Sequence, residues 1–267
     1  MTMVGEYAKA AQQLAEFEAK FPADLRKAIL QSAVEGKLVP QGPNDEPVES
    51  LLERINAERK ALVKAGKIKR DKHESVIFRG SDRLTYETRD GETVCIENEL
   101  PFKIPESWAW VRLGSVSNYG QCTGTDNAPK GSWMLDLEDI ERGGRLLVKN
   151  RVRESKSTKH VFMKGQVLYS KLRTYLQKVL VADEDGYCTS EIIPITFFGT
   201  INPHFATLVL NSPYFVDYTQ ECCCGVKMPR LTTEDARAAY FPLPPLAEQQ
   251  RIVAEVERME AQVVQLQ

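Results

Sequence analysis

The chain is poor in the residues on which metal and acid–base chemistry usually rest. Its 267 residues hold three histidines, His73, His160 and His204, too scattered for a metal-ligand spacing. The six cysteines, Cys95, Cys122, Cys188, Cys222, Cys223 and Cys224, contain no C-x-x-C pair. Three adjacent cysteines suit neither a relaxed disulfide nor a tetrahedral site, so packed, reduced thiols and no bound metal are expected. No apolar run approaches the roughly 18 residues that span a bilayer. The N-terminus lacks the basic-then-apolar layout of a secretory signal, so a cytoplasmic protein without membrane contact is expected. Also missing are G-x-x-x-x-G-K-[ST] and G-x-G-x-x-G phosphate loops. There is no Asn/Asp-Pro-Pro-aromatic motif and no Ser, Cys and His grouping that suggests a nucleophile. Asp136, Glu138 and Asp139 are followed by no carboxylate-x-lysine strand, so they read as a solvated turn rather than a nuclease site. No catalytic residue and no cofactor are expected in this chain.

Overall charge is nearly balanced, 35 Lys/Arg against 37 Asp/Glu for a net −2, but its distribution is not. Eleven Lys/Arg fall between Arg142 and Lys178 against the single Glu154, a local net of +10 that leaves −12 to the remainder. Such a segment is either a solvated surface or a polyanion-binding face; its size and spread favour the second, with double-stranded DNA as the expected partner. Lys149, Arg151, Lys159, Ser170, Lys171, Arg173, Thr174, Tyr175 and Lys178 lie in it and can donate to phosphates. Arg173 could instead read guanine with its two-pronged head. Glu191 either pairs with Lys171 or Arg173 to hold the turn, or touches DNA. The small-residue turn at 224–232 either brings Lys227 and Arg230 to DNA or braces the chain's return.

Both ends of the chain carry helical seams. Residues 5–21 repeat apolar positions at Tyr7, Ala10, Leu14, Phe17 and Phe21, and a second helical segment is expected from Pro22 to a stop at Gly36. After the strap Phe241-Pro242-Leu243-Pro244-Pro245, a breaker-free run to Gln267 spaces Ile252, Val256, Met259, Val263 and Leu266 as an a/d seam. These helices either pack on one globular core or pair with each other or with another chain. A helix is expected over 48–65, a polar, partly mobile excursion over 68–100 with an Asp90-Gly91 turn, strands at 132–137, 145–148, 166–172, 178–182 and 191–198, and helices at 203–211, 213–222 and 232–239. Trp108, Trp110 and Leu113 read as core anchors, with aromatic base stacking as the rival role for the tryptophans.

Several phrases resemble one family. PLPPLAEQQRIV, at 242–253, resembles the junction in type I restriction-modification specificity (S) subunits where a target-recognition domain passes into a spacer helix. LRKAILQSAVEGKLVPQ, at 25–41, is similar to the segment after such a spacer, and the 100–114 phrase to the opening of a recognition domain. The stretches 164–178 and 186–194 resemble a motif recurrent inside those domains. The resemblance covers 20–67 and 100–260. It implies an α+β fold: one recognition domain at 105–245, flanked by N-terminal spacer helices at 1–36, a helical and extended connector at 37–104 and a C-terminal spacer helix at 246–267, the long helices forming an antiparallel coiled coil. Family members usually carry two recognition domains; here there is one. The resemblance implies a non-catalytic subunit that gives a sequence address to methyltransferase (M) subunits holding S-adenosylmethionine, and through them to restriction (R) subunits that use ATP and Mg. A stand-alone DNA-binding regulator is the alternative. With one copy of each part, a homodimer joined through Leu14, Phe17, Phe21, Ile252, Val256, Met259, Val263 and Leu266 is expected.

Overall fold

Helix α1 runs from Met3 to Val34 and helix α7 from Leu246 to Val264, and the two lie side by side. This is the computed structural model of the chain, which describes residues 3–71, 74–152, 157–223 and 228–265, with side chains from residue 11 onward, Gln13 excepted. Gln41 donates to Glu248 at 2.7 Å and Asp45 takes both prongs of Arg251 at 3.0 and 2.5 Å, while Arg26 stands opposite Glu260. Residues that follow α1 thus meet the start of α7, while Arg26 within α1 faces the end of α7, and the pair is antiparallel.

α1 is one helix rather than two. It runs through Pro22, forgoing the bond from that position to the Glu18 carbonyl, with the proline buried. It ends at Gly36, whose φ of 70° lets Lys37 N–H close on the Ser32 carbonyl at 2.9 Å. The α7 seam is buried within the same chain: Ile252, Val256 and Val263 are at most 2% exposed and Met259 packs against them. The described α7 seam residues are therefore closed within the chain and not left for the expected homodimer, because Leu25, Ile29, Ala33 and Val34 of α1 share their core. Leu14 and Phe17 at the other end of α1 remain 57% and 63% exposed, and Phe21 is exposed as well. The side chains of Tyr7 and Ala10, and Leu266, lie outside the described residues.

α2, Val48–Lys64, buries Val48, Leu51 and Ile55 in the same core. The 68–100 segment is built rather than loose. Strands β1 (Ser75–Arg79), β2 (Thr85–Arg89) and β3 (Glu92–Cys95) form an antiparallel meander, and Asp90 (φ 53°) and Gly91 (φ 86°) make the two-residue turn that its Asp-Gly signal predicts. The meander is tied to the body by Glu87, which receives Arg112 at 2.6 and 3.0 Å.

Strand β4, Ala109–Arg112, leads into the short helix α3, Leu113–Val116. Trp108, Trp110 and Leu113 are buried, Trp108 edge-on to Phe205, so they are core anchors and not stacking platforms. A four-stranded sheet has the order β5 (Gly124–Thr125), β7 (Lys159–Phe162), β10 (Gly186–Thr189), β6 (Trp133–Leu135), with β10 and β6 parallel. A second sheet has β8 (Val167–Ser170) between β11 (Ile192–Ile195) and β9 (Val179–Val181). The expected 145–148 strand is reduced to one bridge, Ile140↔Leu146. Helices α4 (Pro203–Asn211), α5 (Pro213–Cys222) and α6 (Thr233–Ala238) follow; Asn202, Ser212 and Thr232 cap them through their side chains. Strand β12, Tyr240–Leu243, pairs with β4 and delivers the chain to α7. The result is a mixed α+β fold whose main core draws on α1, α2, α4, α5, α7 and both hairpin strands β8 and β9.

Candidate nucleic-acid interface

The β8–β9 hairpin divides the basic segment between its two ends. Its register runs from Val167↔Val181 to Tyr169↔Val179. Beyond Ser170 the chain turns through 171–178; at the opposite end 164–165 meet 182–185, where Gly165 N–H donates to the Ala182 carbonyl at 2.7 Å.

The 171–178 turn is shaped by two left-handed residues, Arg173 (φ 51°, ψ 58°) and Gln177 (φ 53°). Backbone bonds hold it on three sides. Arg173 N–H donates to the Pro229 carbonyl at 2.9 Å, Leu231 N–H to that of Lys171 at 2.9 Å, and Lys171 N–H to that of Glu191 at 3.0 Å. A fourth contact brings in another loop: Gly143 N–H donates to the Leu176 carbonyl at 3.1 Å. That approach requires glycine at the next position too, since a Cβ on Gly144 (φ 90°) would sit 2.1 Å from the Val179 carbonyl oxygen. Arg142 is thereby carried beside the turn.

Arg142 and Arg173 are exposed and Lys171 is half-buried; none of the three has a hydrogen-bond or ion-pair partner among the described residues. Tyr175 is exposed next to them. Three unpaired cations and a phenol on a braced turn are equipped to meet phosphates and a base edge. Arg230 lies against the same turn, through the Leu172↔Arg230 bridge, but its guanidinium grips Glu191 at 2.8 and 3.0 Å. Glu191 therefore pairs with Arg230 and not with Lys171 or Arg173.

The other expected contacts are placed elsewhere. Lys159 is only 3% exposed and its Nζ donates to the Ser157 carbonyl at 2.7 Å. Ser170 is buried and donates to the Leu172 carbonyl at 2.9 Å; Thr174 is buried and accepts from the Thr219 hydroxyl at 2.7 Å. These three brace the scaffold and do not face solvent. Lys178 is half-buried and donates to the Leu137 carbonyl at 2.7 Å. Lys149 and Arg151 sit at the far end of the hairpin, 2.6 Å from Asp183 and Glu184 respectively, and Lys149 also lies 4.9 Å from the Trp133 ring centre. Lys227 lies outside the described residues. Arg142 lies in the basic run but outside the expected contacts; the Gly143-Gly144 pair that follows it is the signal of close backbone approach.

Asp136 and Asp139 form a reciprocal cap on a one-turn helix, Leu137–Asp139, which is a structural use of those carboxylates. Among the described residues no group of three or more His, Cys, Asp or Glu could hold a metal ion, and no helix is long and apolar enough to cross a membrane. Burial pushes the Cys122 thiol up to about 11 and Cys188 higher, so both stay protonated at neutral pH.

No protein-family model matches the chain. Among curated proteins, the type I restriction enzyme EcoAI specificity subunit of Escherichia coli is 29% identical over 258 residues, 88% of this chain and 39% of that protein. The EcoDI specificity subunit, also from Escherichia coli, is 30% identical over 167 residues, 60% of this chain and 36% of that protein. The chain thus spans well under half the length of the curated relatives it matches. Among solved structures, the HsdS subunit from Thermoanaerobacter tengcongensis aligns with a TM-score of 0.46 at 21% identity, over 82% of this chain and 50% of that one.

Proposed function

Taking as premise that its curated homologues are type I restriction enzyme specificity subunits, we propose that this chain is a sequence-reading DNA-binding subunit with a single recognition unit. The observation that supports the reading is the turn at Lys171–Tyr175 with Arg142 beside it: cations with no partner among the described residues, on a backbone fixed from several sides. The chain performs no chemistry itself. It directs methyltransferase subunits, which hold S-adenosylmethionine, and through them restriction subunits, which use ATP and Mg. The α1–α7 pair serves as an antiparallel coiled-coil spacer. Two copies associate about a two-fold axis through the exposed Leu14, Phe17 and Phe21, so that the target is bipartite with inverted half-sites.

The test uses the chain assembled with its methyltransferase subunit. If Arg142, Lys171 and Arg173 meet about three phosphates, log K falls against log salt with a slope of about −2.7, and Lys171→Ala with Arg173→Ala brings the slope to about −0.9. Arg173→Lys relaxes methylation at one target position if the arginine reads a base, because lysine lacks the planar fork. If it meets phosphate only, all sites weaken together. Binding that is flat with salt, or unaltered in the double variant, rules the turn out.

A further inference from the structure

α5 carries two distinct stripes. Phe215 and Thr219 face the core, Thr219 bonding to Thr174 beneath the basic turn. Tyr214, Asp217, Tyr218 and Glu221 follow at helical spacing along another face. This second stripe walls a recess of about 620 Å³ that also meets Phe102, Tyr240, Glu99 and the α1 residue Glu35.

The recess combines aromatic walls with uncompensated negative charge. Phe102 and Tyr214 meet edge to face at 5.3 Å, and the Tyr214 hydroxyl is fixed on the Tyr240 carbonyl at 2.9 Å. Asp217 and Glu221 are exposed and have no ion-pair partner among the described residues. Among the described residues, Glu99 receives only the Tyr240 hydroxyl, at 3.3 Å. Glu35 is already matched by Lys37. The cation that lines the recess, Arg112, is committed: Glu87 takes it at 2.6 and 3.0 Å, the Ala238 carbonyl accepts at 2.6 Å, and its guanidinium lies 3.7 Å from the Tyr240 ring centre. Three carboxylates, Asp217, Glu221 and Glu99, therefore stand around aromatic rings with no ion-pair partner among the described residues, and one of those rings already carries a guanidinium on its face. A π-face with carboxylates at its rim attracts positively charged organic groups.

We propose that this recess binds an organic cation, a guanidinium or alkylammonium head carried by a protein side chain or by a free polyamine. The site is separate from the basic turn and of opposite sign. The proposal does not depend on the DNA-reading function.

The full chain, labelled with nitrogen-15 at tyrosine, is titrated at low salt with N-acetyl-arginine amide in one arm and spermidine in the other. Saturable shifts of the Tyr214 and Tyr218 amides are expected. The double substitution Asp217→Asn with Glu221→Gln weakens binding about fivefold, as loss of two partly solvated ion pairs should. Glu53→Gln, on the exposed face of α2, leaves it unchanged. Asp217 and Glu221 are exposed, so an unaltered melting temperature checks that the variant is folded. Tighter binding of spermidine assigns the site to a free polyamine; tighter binding of the arginine amide assigns it to a protein side chain. No saturable shift in either arm, or equal affinity in the double variant, overturns the proposal.

Discussion

Arg173 holds φ 51° and ψ 58°, a region that costs an L-residue roughly 1–2 kcal/mol, while its guanidinium has no partner among the described residues. Arg173→Gly separates the two roles. It relieves about 1 kcal/mol of backbone strain and removes the charge, so thermal melting rises while DNA affinity falls. A structural arginine would lose stability instead. Glu87 and Arg112 show the reverse case, a nearly dry ion pair with side chains 5% and 15% exposed. Removing either partner costs about 3–5 kcal/mol because the other charge is stranded. Burial alone would raise the Glu87 carboxyl, but the Arg112 and Ser75 hydrogen bonds outweigh it and hold it below its usual range. Its contribution is therefore present above the unfolded carboxylate range and is lost as pH falls through the lower folded value. A steep acid limb in the melting temperature, flattened in Glu87→Gln, checks this. Glu248 has the opposite sign: burial raises it, against the Trp108 and Gln41 contacts. It opposes folding as pH rises above the unfolded carboxylate range, so Glu248→Gln should raise stability at neutral pH and leave it nearly unchanged in acid.

Gln249 fastens α7 to the body. It is fully buried, accepts from Asn202 N–H at 2.9 Å and donates to the Pro244 carbonyl at 3.0 Å. Gln249→Ala strands two backbone groups and costs about 2–4 kcal/mol, measurable by urea unfolding. Ile252→Ala opens a cavity in the α1–α7 seam at a cost of about 2–5 kcal/mol. Much of this level was legible in the sequence. The ranges expected for α4 and α5 match those observed, and Asp90-Gly91 marked the meander turn. The β4–β12 pair was not, because Pro242 interrupts the strand signal and the pairing joins residues far apart in the chain. The break at Pro22 was misplaced for a related reason: local propensity shows the missing donor but not the packing that keeps the helix continuous. At the site, charge and hydroxyl content were visible in sequence, but exposure was not. Lys159, Ser170 and Thr174 are buried by strands and helices recruited from elsewhere in the chain.

On the scale of the whole molecule, the two long helices differ in length. At 1.5 Å per residue, the 32 residues of α1 extend about 48 Å and the 19 residues of α7 about 28 Å. Among the described residues, Leu14, Phe17 and Phe21 on α1 and Val264 on α7 are the exposed large apolar side chains of the helix pair. A dimer at micromolar concentration in sedimentation is the expected outcome, with Phe17→Asp giving monomers of unchanged melting temperature. Met259→Asp, by contrast, lowers stability rather than dissociating a dimer, because Met259 packs inside the subunit. Dimers that persist in Phe17→Asp would place the contact elsewhere.

The antiparallel pairing of α1 with α7 also sets an order of events on the ribosome. Arg26 is made 260 − 26 = 234 residues before Glu260, so at roughly 5–20 residues per second α1 waits between about ten and fifty seconds for its partner. Through that interval Ile29, Ala33 and Val34 have no α7 to lie against. The nascent chain therefore passes through a sticky stage whose length is fixed by translation speed, and slowing synthesis upstream of codon 246 should lower soluble yield without altering the purified protein.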